Sequence, residues 1–206
     1  IKKRNIMNWI TSWKKIGIKV KQIFKKQPTG QEETDWKNCP QCKKISYLPD
    51  LIANSYICEC SFHFDLPPKI RLDNLFDDSY EIIDAPENIN PDPLNFEIKE
   101  RYKYIDKIKR YREKTGQRSA LLCASGIISN LKAVVVCFNP QFGAGRFGPL
   151  ENEHFLKAAD FAIQQKVDVW TVIYQSSGID VHTGVTGLVG MTKSVIAMDQ
   201  IGGEIN

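Results

Sequence analysis

Apolar positions recur at three- and four-residue steps over residues 5–26: Ile6, Trp9, Ile10, Trp13, Ile16, Val20, Ile23 and Phe24. That period predicts an amphipathic helix with lysines on its other face and Gly17 weakening its middle. Residues 65–96 hold no sustained period and are rich in Asp, Asn and Pro. They predict mostly loop, with a short helix near Lys69–Phe76 and an extended stretch at 91–96 fixed by two prolines. Residues 97–116 read as a charged helix ended by Gly116. From Ser119 the pattern changes. "SALLCASGIIS" and "AVVVCFN" predict two strands joined through "NLK" as a hairpin. The glycine-rich turn "QFGAGRFG" then leads into a helix, "NEHFLKAADFAIQQK", with Phe155, Leu156, Ala159, Ala162 and Ile163 on one face. A buried strand, "VDVWTVIY", runs into the small-residue turn Ser176-Ser177-Gly178, and a last helix covers roughly 184–200. Gly184, Gly187 and Gly190 at its start read as close helix packing, since no P-loop lysine motif accompanies them.

Composition adds limits. The chain has 206 residues, 42% hydrophobic and 25% charged, enough for one sizeable core plus an appendage. It contains no run of about 18 apolar residues and no secretory pattern. The net charge of +4 is uneven: nine of the 28 basic residues and none of the 24 acids fall within residues 1–26. A basic amphipathic arm is a statement about partners. Docking on another protein through the apolar stripe of 5–26 is the first reading, and contact with an anionic membrane or RNA the alternative.

Four of the six cysteines lie in "CPQCKKISYLPDLIANSYICEC", spaced C-x2-C-x15-C-x-C. Four soft ligands predict a structural zinc site at Cys39, Cys42, Cys58 and Cys60, with His63 as the alternative fourth ligand if Cys60 turns away. Cys123 and Cys137 lie in apolar runs and read as buried free thiols. His154 beside Glu153 reads as a solvated residue at a helix start. His182, four residues after Gly178, could donate to an anion.

The order of these pieces carries a resemblance. "MNWI", the four-cysteine ribbon, "RLDNLFDD" with "SYE", "DPLNF" and "REKTG" resemble the β subunit of the bacterial and plastid acetyl-CoA carboxylase carboxyltransferase. The resemblance implies a mixed α/β (α+β) fold, a crotonase-like core of the ClpP/crotonase type built from ββα units, partial here. A small zinc ribbon and an N-terminal amphipathic helix precede it. It also implies a site, shared with an α subunit, that moves a carboxyl group from carboxybiotin to acetyl-CoA. Backbone N–H groups at glycine turns would stabilise the thioester enolate. The resembled turns read Phe-Met-Gly-Gly-Ser-Leu-Gly and Ser-Gly-Gly-Ala-Arg. Gly145 and Gly148 match the first, where Ala144 replaces a glycine and Arg146 a serine. Ser176 and Gly178 match the second, where Ser177 replaces a glycine, Ile179 an alanine and Asp180 the arginine. An acid at 180 has the wrong sign beside an enolate and an acyl-CoA.

Four regions follow: a basic helix and linker (1–34), a zinc-ribbon-like module (35–64), a loop-rich and helical connector (65–118) and a partial carboxyltransferase core (119–206), truncated at its C-terminal side. Gly145, Gly148, Ser176, Ser177 and Gly178 are the remnants of the oxyanion turns. The altered turns favour a non-catalytic relative, a structural subunit of a larger multi-subunit complex that does not take acyl-CoA. The alternatives are an active, divergent β subunit and an RNA-binding zinc-ribbon protein. The Lys-, Ile- and Asn-rich composition hints at an AT-rich genome, and the expected setting is an organellar interior, the mitochondrial matrix side before the plastid.

Overall fold

A computed structural model describes residues 35–99 and 102–205. The amphipathic helix expected over 5–26 lies outside them. The chain divides into two compact units, meeting at Leu66 and Pro67.

The described part of the first unit is a small ribbon. Strand β1 (Trp36–Asn38) pairs antiparallel with β2 (Ile45–Tyr47), and a short helix α1 (Leu48–Ala53) follows. Trp36 faces Tyr47 across the pair, their rings 5.0 Å apart.

The second unit is built on a four-stranded sheet of order β3-β6-β7-β8, where β3 is Glu81–Ile83, β6 Leu121–Ile128, β7 Leu131–Phe138 and β8 Val169–Ile173. Strands β6 and β7 form the expected hairpin. Its turn is Ser129-Asn130, both at positive φ, the conformation that matches strand twist in a two-residue loop. Strand β8 lies parallel to β7, so the chain must cross over, and it does so through helix α4 (Pro149–Gln164). This is one ββα unit.

Strand β7 explains the uninterrupted apolar run of 133–138, because it is buried on both faces. Val134, Val136 and Phe138 pack under α4 and helix α5 (Val185–Glu204), against Phe155, Ala158, Ala159, Ala162, Ala197 and Ile201. Ala133, Val135 and Cys137 face the other way, toward Leu72 and Phe76 at the end of helix α2 (Pro68–Leu75). Cys123 and Cys137 are buried free thiols, both pushed up by burial, Cys137 to about 11. Helices α4 and α5 approach closely at Gly190, where an added Cβ would meet Asn152 Cγ at 2.8 Å. The outer face of α5 stays bare: Val185, Leu188, Val195 and Ile196 are each more than half exposed.

Two sequence expectations change. Residues 97–99 and 102–103 are strand instead of helix: β4 (Glu97–Lys99) pairs antiparallel with β5 (Tyr102–Lys103), and helix α3 runs only over Tyr104–Thr115. Lys103 holds extended angles, and the Tyr104 N–H donates to Phe96 O instead of to a preceding helical turn. Gly116 closes α3 in the left-handed conformation, as expected. Residues 91–96 form a turn, not an extended stretch. Buried Asp92 accepts the Phe96 N–H at 3.0 Å, and Asn95 takes a positive φ.

Candidate functional site

The ribbon gathers Cys39, Cys42, Cys58 and Cys60, whose sulfurs all lie within 4.8 Å of one another. Cys39 Sγ is 3.7 Å from Cys60 Sγ, and Cys42 Sγ is 3.7 Å from Cys58 Sγ. Four sulfurs each about 2.3 Å from one ion at tetrahedral angles would be about 3.8 Å apart, so the group could hold a metal ion. Two tight turns build it. Cys39 N–H donates to Lys44 O and Lys43 N–H to Cys39 O, while Cys58 N–H donates to Phe62 O and Ser61 N–H to Cys58 O. Lys43 and Ser61 both take positive φ. That conformation lets the shorter C-x-C pair bring its second sulfur inward. His63 is exposed, bridges Ile57 through its backbone, and stands outside the four. Burial pushes the Cys39 thiol up, but hydrogen bonds from the Cys42 and Gln41 backbone outweigh it and bring it down to about 7. The Phe62 amide pulls Cys60 down, but burial and bonds to the neighbouring sulfurs win and push it up to about 12.

In the second unit the two small-residue turns lie side by side at the C-terminal ends of β7 and β8. Ser177 N–H donates to Ala144 O at 2.8 Å, Phe147 N–H to Gly178 O at 3.0 Å, and Asp180 N–H to Phe147 O at 3.0 Å. These three bonds form a seam. Gly143, Ala144 and Gly145 all take positive φ, and Gly178 takes φ +104. Ala144 therefore takes the left-handed conformation that favours glycine. Ser176, Ser177 and Gly178 are exposed. Gly178 N–H donates to Ser176 Oγ at 3.0 Å, so the donors of Ser177 and Gly178 are both engaged within the chain. Gly148 sits at the start of α4, where its N–H donates to Glu151 Oε2 at 3.1 Å. Glu151 also accepts the Ala120 N–H at 3.0 Å and is fully buried.

Beneath the seam lies a cluster of buried charges. Arg146 Nη1 donates to Asp180 Oδ2 and to the Tyr104 hydroxyl, and that hydroxyl donates to Asp180. Arg146 Nη2 is 3.6 Å from Glu151 Oε1. Asp180 Oδ1 accepts the His182 N–H at 3.2 Å and meets His182 Nδ1 at 3.0 Å. The His182 ring stacks on Tyr104 at 4.2 Å, and Phe96 meets its edge. Burial alone would push Asp180 up, but Tyr104, Arg146 and His182 hold it below its ordinary value. The acid expected to oppose an anion is thus turned inward and neutralised by Arg146.

His154 is likewise corrected. It is buried, with Nε2 2.7 Å from Ile83 O and Nδ1 2.9 Å from Ser119 Oγ. Its position was readable: Glu151, His154, Phe155, Ala158 and Ala162 share one stripe of α4. The partnership of Tyr104 with Arg146 and Asp180 had no sequence signal.

A four-stranded sheet carrying a ββα unit, with paired glycine turns at strand ends, defines a crotonase-type carboxyltransferase fold. The solved structures agree. The chain is similar to transcarboxylase 12S with methylmalonyl-coenzyme A and methylmalonic acid bound, at TM-score 0.52 and 15% identity, over 68% of this chain and 24% of that one. In sequence it is related to the acetyl-coenzyme A carboxylase carboxyl transferase β subunits over most of its length. It is 32% identical over 184 residues to that of Sulfurihydrogenibium sp., covering 89% of this chain and 64% of the relative. It is 30% identical over 197 residues to that of Liberibacter asiaticus, covering 95% and 66%. The β subunit of Hirschia baltica is 30% identical over 196 residues, covering 95% and 54%. The chain therefore spans between about half and two thirds of the length of these bacterial relatives. No family model matches it. Among the described residues no helix is long and apolar enough to cross a membrane.

Proposed function

We propose that the chain is the β-type half of a carboxyltransferase, moving a carboxyl group from carboxybiotin to acetyl-CoA with a partner subunit. The observation that carries this is the similarity over 89% of the chain to proteins of that name. Geometry supports it. The two turns are joined by three backbone bonds, and the Asp180 carboxylate is compensated by Arg146. In that reaction the acetyl thioester gives up an α-proton, the new C–C bond forms to the carboxyl carbon as that carbon's bond to the biotin nitrogen breaks, and the nitrogen takes up a proton to regain its N–H. The turn's share would be to hold the enolate oxygen on the Gly178 N–H once Ser176 Oγ moves aside. The bare apolar face of α5 supports a protein partner.

The cysteine cluster is proposed to bind zinc structurally through Cys39, Cys42, Cys58 and Cys60. Four protein sulfurs leave no open position for substrate, so the ion would hold the ribbon and take no step in transfer. An organellar setting is supported by composition alone.

A second reading, a structural subunit without transfer activity, is favoured by one observation: the Ser177 and Gly178 N–H groups are already satisfied within the chain. The deciding experiment combines the full chain with a matching α subunit, carboxylated biotin carrier and acetyl-CoA, and follows malonyl-CoA. Turnover that requires this chain supports the transferase. Its absence, with the chain folded and bound to the α subunit, supports the structural role.

A further inference from the structure

The two charges that set this chain apart from the turns it resembles, Arg146 and Asp180, meet each other. Arg146 lies on the first turn and Asp180 closes the second, 34 residues later. Each adjoins the seam: Phe147, next to Arg146, bonds to Gly178 O and to the Asp180 N–H. Arg146 Nη1 is committed to Asp180 and Tyr104, and among the described residues Nε and Nη2 have no hydrogen bond. Its guanidinium is 5.4 Å from the Tyr104 ring and 5.5 Å from the Phe142 ring, and its Nη2 is 3.6 Å from the buried Glu151 carboxylate, which helps hold it in place. Tyr104, fixed at the first residue of α3, touches both charges and also stacks on His182. Against this stands a first turn with three successive residues at positive φ, one of them an alanine. Such a turn relaxes unless its surroundings hold it.

We infer that Arg146 and Asp180 form a latch that sets the distance between the two turns, with Tyr104 as its anchor. They are positioning residues: they act through the seam and touch no substrate. The functional value of the latch rests on the transferase reading, but its existence does not.

The test is amide hydrogen exchange on the full chain, read by NMR at Ser177 and Phe147, with the Val135 amide of β7 as internal reference. In R146M the seam amides should exchange ~10-fold faster or more while Val135 stays as in the wild type, the signature of local opening. R146K keeps the charge and should return the seam to within ~3-fold of wild type, a rescue that space-filling alone would not give. Seam exchange in R146M within ~2-fold of wild type overturns the latch. If R146M does not fold, Y104F removes the shared hydroxyl without altering any charge. Faster seam exchange in Y104F supports the latch, and unchanged exchange overturns it. The two proposals separate cleanly. Seam coupling without carboxyl transfer in the wild type defeats only the transferase reading. Transfer with an uncoupled seam defeats only the latch.

Discussion

A Cβ placed on Gly145 would lie 2.1 Å from the carbonyl oxygen of Gln175. The first turn therefore touches the end of the second strand backbone to backbone, with no room for the smallest side chain. Gly145 also holds φ +67, so an alanine there meets both a clash and backbone strain. G145A should cost about 2–5 kcal/mol, the sum of overpacking and left-handed strain. Gly178 is the control. Its φ is +104 but nothing lies within 4 Å of its added Cβ. G178A should cost only about 1–2 kcal/mol, from strain alone. Thermal unfolding of both variants checks the contrast, and equal losses would mean that the Gln175 contact is not limiting.

The cysteine cluster makes a sharper prediction about composition. Elemental analysis of the purified chain should give close to one zinc per chain. C39S and C60S should lose most of it, while H63A should keep it, because His63 stands outside the four sulfurs. Zinc lost in H63A and kept in C60S would reverse the assignment of the fourth ligand. Uptake should release protons and weaken at low pH, since the sulfurs bind as thiolates.

What the sequence could show depends on how long a pattern persists. Strands of eight residues, β6 and β7, were legible as long apolar runs, and the sixteen-residue α4 by its apolar period. Strands β3, β4 and β5 have three residues or fewer and offer no period, so Glu97–Lys103 merged with the helix that follows. The cysteines were legible by spacing. The pairing of Arg146 with Asp180 was not, because only the crossover through α4 and β8 brings them together. Taken one position at a time, each looked like a loss. Together they are a neutral pair.

His154 predicts a pH dependence of stability. Ile83 O can only accept, so His154 Nε2 carries the proton, and the neutral ring's Nδ1 is left as an acceptor for the one Ser119 O–H, which Leu121 O at 3.1 Å shares. Burial holds His154 below its ordinary 6.5, ahead of the opposing effects of Ile83 and Glu151. The unfolded chain takes up a proton below about pH 6.5 that the native chain refuses, so stability is full above that pH and falls as pH drops. The slope from this one group is at most about 1.4 kcal/mol per pH unit. Asp180, held low, works in the same direction but only as pH falls below its ordinary 3.8. Urea unfolding at pH 7.5, 6.5 and 5.5 should show the decline in wild type and a flatter profile in H154Q. Identical profiles would show that His154 holds its proton equally well in the native and the unfolded chain, and would overturn the effect of burial.

Ser176 supplies the last test, and it bears on the chemistry. Ser177 N–H is tied to the Ala144 backbone, but among the described residues Gly178 N–H is held only by the Ser176 hydroxyl, on an exposed side chain. If a thioester oxygen is to use the Gly178 donor, it must first displace that hydroxyl. S176A removes the competitor and leaves the donor in place. A neutral hydrogen bond contributes about 0.5–1.5 kcal/mol net, so acetyl-CoA should bind roughly 2- to 10-fold more tightly to S176A than to wild type. Free CoA, which lacks the acyl carbonyl, should bind both alike. Titration calorimetry with the two ligands separates the outcomes. Equal tightening of both would place the effect away from the thioester. No change for either would mean that the Gly178 N–H does not receive the acyl oxygen, and the turn would then stand as a structural element held closed by its own serine.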